Sequence, residues 1–212
     1  MDLAYLQKFL KPARQGMDLV SLIDGYREDG MVDDLFHDLK QWMASSSRIF
    51  WPKCYFRESE EERLSIFLAK VVEAAFHHEN NQVVKLGYYF FNKLDPDRSS
   101  PISVISTIAF RLACVLPMFR DELMKIYNDK FEKNLVECLL QVDKNSKEDV
   151  ELLFQFLLEY PFKQIEADLN EDVFVLINGL DEEIWFFLFP MFLTLPSRVR
   201  FVLTTPFNFF LV

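Results

Sequence analysis

Asp172-Val173-Phe174-Val175-Leu176-Ile177-Asn178-Gly179 is the stretch that decides the fold: five apolar residues in a row, set between a carboxylate and an amide and closed by glycine. The run is too short for an ordinary helix and shows no polar face. It therefore predicts a strand covered on both sides, the pattern of a parallel sheet with helices on each face. Val199-Arg200-Phe201-Val202-Leu203-Thr204 repeats the pattern downstream, and between the two Trp185 to Phe192 supplies an apolar stretch broken by Pro190. Upstream, Val150, Leu153, Phe154, Leu157 and Leu158 recur at helical spacing, as do Ile102, Ile105, Ile108, Ala109 and Leu112. Pro117 to Gln141 reads as one or two shorter helices. Further back, Val83 to Phe91 is rich in β-branched and aromatic residues and predicts another strand, followed by an Asp95–Pro101 loop. Ser59 with Glu62 forms a capping-box pattern ahead of a helical face through Leu64, Phe67, Leu68, Val71, Val72, Ala75 and Phe76. Val32, Leu35, Phe36, Leu39 and Met43 predict a helix, Ser45 to Ser47 a turn, and Arg48-Ile49-Phe50-Trp51 the first strand. Strands alternating with helices long enough to cross over imply the doubly wound α/β class with a parallel sheet.

Composition narrows the function. The 212 residues, 25.2 kDa, carry 33 acidic and 23 basic side chains for a net charge of −10. Phosphate contacts need clustered Lys and Arg, so a nucleic-acid partner is disfavoured. Half the residues are apolar, with 23 Phe and only 5 Gly, which excludes disordered and linker-like chains. Cys54, Cys114 and Cys138 have no Cys-x-x-Cys spacing, so neither a disulfide framework nor a zinc site is suggested. With no signal-peptide pattern in Met1–Leu10, a cytoplasmic location is expected. The longest uncharged run, Ile184–Ser197, is fourteen residues with two prolines, whereas a span needs roughly 20 apolar residues. His77-His78 lacks a third ligand nearby, and no metal site is expected.

Three stretches, in order, resemble the NACHT domain, the nephrocystin-type N-terminal branch of the STAND class of P-loop NTPases. The first runs from Tyr26 through Trp42 to Arg48-Ile49-Phe50-Trp51; the second is Gly87-Tyr88-Tyr89-Phe90-Phe91 through Asp95, Arg98 and Pro101 to Ile105–Ala113. The third joins Leu153–Leu158, Val173–Glu182 and Leu195–Thr205, similar to the Walker B strand, the LP turn and the sensor strand. The resemblance implies a helical N-terminal segment over 1–45 and a NACHT-like P-loop NTPase core over 46–212, with the lid helices and winged-helix part missing from it. It places the nucleotide and Mg²⁺ site at Lys53, Ser65, Asn178, Thr204 and Thr205, and the Walker B acids at Asp181 and Glu182.

The departures from the family pattern fall on that chemistry. A working phosphate loop uses glycines to close backbone N–H groups around phosphate, a lysine to neutralise it and a hydroxyl to hold Mg²⁺. Pro52 to Ser65 contains no glycine, Leu64 stands where the lysine belongs, and Glu60, Glu61 and Glu62 precede it. A carboxylate about 4 Å from a phosphate charge costs about 4 kcal/mol at an effective dielectric of about 20. Asn178 replaces the first Walker B acid, and Pro206 stands where the family usually has arginine. The resemblance with its departures implies a degenerate NTPase without a cofactor, a signalling scaffold acting through protein partners, in which Asp181 and Glu182 are vestigial. Two alternatives remain open: a Mg-ATP- or GTP-hydrolysing switch in which Lys53 or Arg57 replaces the missing lysine, and peripheral membrane contact through the Phe-rich segment that ends in Phe207, Phe209 and Phe210.

Overall fold

A computed structural model describes residues 2–14, 16–24, 30–52, 58–76, 84–141 and 146–204. Helices α1 (Asp2–Leu10), α2 (Gly16–Asp24) and α3 (Gly30–Met43) lead into strand β1 (Ile49–Phe50), followed by α4 (Glu58–Phe76) and β2 (Leu86–Phe90). Five helices follow: α5 (Pro101–Val115), α6 (Pro117–Asn128), α7 (Lys130–Leu139), α8 (Lys147–Phe154) and α9 (Tyr160–Ile165). Strand β3 (Val173–Asn178), helix α10 (Glu182–Phe192) and strand β4 (Val199–Leu203) complete the described chain. The four strands form one all-parallel sheet in the order β1-β4-β3-β2. The alternation of strands and helices therefore gave the fold class that the sequence predicts.

The two-residue period of a strand sends alternate side chains to opposite faces. Val173, Val175, Ile177, Phe201 and Leu203 join one core with residues of α1 and α5 to α10. Leu176, Val202 and Phe50 join a second core with Val32, Leu35, Leu39 and Trp42 of α3 and Leu64, Phe67 and Leu68 of α4. Both faces of β3 are thus occupied, which is why its sequence lacks a polar stripe. At Gly87 of β2 a Cβ would meet Leu112 Cγ at 2.9 Å, so the close packing of α5 on the sheet depends on the missing side chain.

Two arginines fasten the amino-terminal end of the sheet. Arg200, 5 % exposed within β4, donates to the carbonyls of Trp42 (2.6 Å), Met43 (2.9 Å) and Ser47 (3.0 Å) and to Asp172 Oδ2 (2.9 Å). Its guanidinium also lies 4.2 Å from the centre of the Trp42 ring. The last carbonyls of α3, which have no partner within the helix, are satisfied in this way, that of Trp42 together with the Ser45 N–H and hydroxyl. Arg48 does the same for the turn after α10, donating to the carbonyls of Leu193, Leu195 and Pro196.

Three local expectations shift. Helix α4 begins at Glu58, so Ser59 lies inside its first turn rather than preceding it as a cap. The second strand opens at Leu86 rather than Val83, and Val83 lies outside the described residues. The helical face from Val150 to Leu158 passes through a π turn at Gln155–Glu159, where the Tyr160 N–H bonds to the Gln155 carbonyl. Pro161 follows at once and has no N–H to continue the α-helical ladder, so the widened turn sits where the ladder must break.

Candidate functional site

The helix after β1 packs on one face of the sheet and the helix after β3 on the other, so the winding changes face between these strands. Ligands of open α/β sheets bind at such places. Asn178 is the last residue of β3 and Thr204 immediately follows β4, while Ser65 comes from α4. The three side chains meet. Asn178 Nδ2 donates to Ser65 Oγ at 2.9 Å, and Thr204 Oγ1 donates to Asn178 Oδ1 at 2.6 Å. The Gly179 N–H in turn donates to Thr204 Oγ1 at 3.2 Å.

The directions of these bonds follow from one another. A backbone N–H can only donate, and the Gly179 amide is shared between the Thr204 carbonyl at 3.0 Å and Thr204 Oγ1, whose own proton goes to Asn178 Oδ1. The amide NH₂ is then turned toward Ser65. The φ of Gly179 is 77°, in the left-handed region that glycine enters without steric cost, and it turns the chain away from the end of β3 toward α10 beside this network. Asn178 is 9 % exposed and its two polar atoms both have partners. Each such bond contributes about 1 kcal/mol net, and stranding one partner costs about 1–3 kcal/mol.

Ser65 does not open its helix. Helix α4 starts at Glu58, and Ser65 lies well inside it. The residues from Glu58 to Leu64 are Glu, Ser, Glu, Glu, Glu, Arg and Leu. None of them is glycine or proline, and most are good helix formers, so the chain winds where the resemblance places the end of a loop. Backbone N–H groups past the first turn of a helix are committed to carbonyls four residues earlier.

Asp181 caps α10: its Oδ1 accepts the Ile184 N–H at 3.0 Å. Among the described residues it makes no hydrogen bond to Asn178, Ser65 or Thr204. Glu182 lies in the first turn of α10 and is exposed. Ser65, Asn178 and Thr204 are therefore brought together, and Asp181 and Glu182 stand apart from them in a capping turn. Lys53 and Thr205 lie outside the described residues, as do Cys54, Arg57, His77, His78, Pro206 and the Phe207–Phe210 segment. Of the Phe-rich stretch, Trp185, Leu188 and Phe192 are buried, while Phe186 is 57 % exposed.

At the carboxyl end of β2 the connection to α5 holds a charged turn. Arg98 is buried, and its Nε donates to Asp95 Oδ2 at 2.7 Å. The Arg98 guanidinium, with the Asp97 N–H, holds the Asp95 carboxyl below the usual carboxylate range. Next to it, burial pushes the Tyr89 phenol well above its ordinary value, and the phenol shares a 2.8 Å bond with Ser103 Oγ. Trp51, just past β1, meets Trp185 of α10 edge to face at 5.1 Å. Sequence reading overlooked the role of Arg200; the available signal was a single charge inside a strand that otherwise reads as buried, since a buried charge requires partners.

Chemically, the meeting of Ser65, Asn178 and Thr204 is a neutral hydrogen-bond network. An amide and two hydroxyls contain no group that titrates near neutrality, so the network itself supplies no general base.

Neither the curated proteins nor the solved structures give a match. The family described as "Nephrocystin 3, N-terminal" matches residues 64–185. The match opens at Leu64, one residue before Ser65, and includes β2, α5, β3 and the start of α10 while leaving Pro52–Arg63 and β4 outside. It extends over more than half of the 212 residues, and the chain belongs to the nephrocystin 3 N-terminal family.

Proposed function

We propose that this chain is a P-loop NTPase-type domain of the NACHT and STAND kind that no longer grips nucleotide, and that it works intracellularly, in the cytoplasm, as a scaffold through protein contacts. One observation carries the reading: Ser65 lies inside α4 with its backbone amide in the helix ladder and its hydroxyl held by Asn178. A phosphate cradle needs free N–H groups at a helix start, and a Mg²⁺ site needs an anionic oxygen ligand near the hydroxyl. Here winding has used the first, and a neutral amide stands in place of the second. Asp181 is engaged as a helix cap, which leaves Glu182 as the described Walker B acid without such a task.

Isothermal titration of the purified chain with Mg-ATP, Mg-GTP and ADP tests this reading. The expected result is no saturable binding that depends on Ser65 or Asn178, and no turnover. Micromolar affinity with turnover abolished by Glu182→Gln would instead establish a working enzyme with an unorthodox loop.

A further inference from the structure

Away from the sheet, α1, α6 and α7 border a half-open pocket of about 410 Å³ lined by Tyr5, Lys8, Phe9, Lys11, Tyr127 and Lys133, among others. Its size is within the range of about 300–1,000 Å³ typical of small-molecule sites. Its chemistry is at odds with the rest of the chain. The protein carries a net charge of −10, yet three lysines, Lys8 of α1, Lys11 just after it and Lys133 of α7, line this pocket together with three aromatic rings. Among the described residues Glu137 is the one carboxylate in the lining, and none of the three lysines is in ion-pair contact with a carboxylate.

The aromatic walls are ordered among themselves. Tyr127 meets Phe9 edge to face at 5.4 Å and Tyr5 at 5.9 Å. Lys133 Nζ sits 4.1 Å from the centre of the Tyr127 ring, which holds the ammonium at the cavity wall. Lys11 takes a φ of 47° at the carboxyl end of α1, a conformation uncommon for a residue other than glycine. The following backbone is pinned by the Ala13 N–H, which donates to buried Thr107 Oγ1 of α5 at 2.9 Å. Lysines at a helix's carboxyl end also suit the helix dipole, but the dipole accounts neither for Lys133, which comes from α7, nor for the rings between them.

We propose that this cavity binds a small organic phosphate: a phosphate monoester dianion held by Lys8, Lys11 and Lys133, on a planar apolar body packed against Tyr5, Phe9 and Tyr127. Two negative charges on a compact group fit several convergent ammoniums better than one, and the rings offer stacking and edge contacts to a flat body.

Titration of the ¹⁵N-labelled full chain with 1-naphthyl phosphate, followed by amide chemical shifts, tests the proposal. Saturable shifts are expected at Lys8, Lys11, Tyr127 and Lys133. Inorganic phosphate, 1-naphthol and 1-naphthoate should each bind at least about tenfold more weakly, the loss expected for one charge-assisted hydrogen bond or more. The double substitution K8E/K133E should abolish the shifts while the circular dichroism spectrum is retained, and in the wild-type chain affinity should fall as salt is raised. The proposal is overturned by absence of saturable shifts at these residues, by equal binding of any of the three control compounds, or by a salt-independent affinity. Shifts confined to Ser65 and Asn178 would equally overturn it, and would count against the proposed loss of nucleotide binding as well.

Discussion

Replacing Asn178 by Asp changes one NH₂ for an oxygen and almost no volume, so its effect isolates the charge state of the network. The Thr204 hydroxyl at 2.6 Å can donate to a carboxylate as it does to the amide oxygen. The Ser65 bond at 2.9 Å must reverse, with the serine hydroxyl donating. Both bonds survive, and the cost is that of placing a carboxylate in a position only 9 % exposed and without a described cation among its partners. Burial raises a carboxyl pKa. A rise of about two units amounts to about 2.7 kcal/mol at neutral pH. The sign follows from linkage: a carboxyl whose folded pKa is raised binds more protons folded than unfolded, so stability falls as pH rises above the unfolded value and returns on acidification. Urea unfolding near pH 7.5 and near pH 4.5 reads this directly through the midpoint at constant slope. Asn178→Asp should lie about 2–3 kcal/mol below wild type at the higher pH and close most of that gap at the lower one. Asn178→Ala, which strands both hydroxyls at either pH, should stay about 2–3 kcal/mol below throughout. A gap for Asn178→Asp that is absent at pH 7.5, or that widens on acidification, would refute the closed neutral network.

Other substitutions test the frame around the site. Arg200→Met keeps the bulk of the side chain but leaves the Met43 and Ser47 carbonyls without this donor, while the Trp42 carbonyl keeps Ser45 and Asp172 keeps Arg198; a loss of about 2–4 kcal/mol in urea unfolding is expected, against less than about 1.5 kcal/mol for Asp172→Asn, whose carboxylate is 34 % exposed. Gly87→Ala places a methyl 2.9 Å from Leu112 Cγ and should cost about 1–3 kcal/mol, and if the clash is the cause that cost should largely vanish when the same substitution is made in a Leu112→Ala background, itself destabilised because Leu112 is fully buried. Asp181→Ala removes the cap of α10 and should cost about 1 kcal/mol of stability, as measured by thermal unfolding.

Much of this architecture was legible from residue order. The apolar runs at Val173–Ile177 and Val199–Leu203 read as doubly covered strands, and both faces of each are packed. Pro117 and the Asp129-Lys130 boundary divide the expected helical region into α6 and α7, the latter capped by Asp129. Ser65, Asn178 and Thr204 were all singled out by the family resemblance, and they do converge. What could not be read was the direction of their hydrogen bonds, which depends on strand register and on the Gly179 amide. The start of α4 was also missed: Ser59 and Glu62 match a capping box in spacing, but the favourable helix run already includes Glu58, so the winding begins before the pattern does. Arg200 was read as part of an apolar strand because its partners, the carbonyls at the end of α3, lie far away in sequence and are brought close only by β1 pairing with β4.

Amide hydrogen exchange across residues 58 to 68, with and without Mg-ATP, tests the central claim most directly. If α4 already winds through the place of a phosphate loop, amides from Glu62 to Ser65 are protected in the free chain to the degree of a helix interior, and Mg-ATP leaves them unchanged. Rapid exchange at these amides in the free chain, slowed when Mg-ATP is added, would contradict the account.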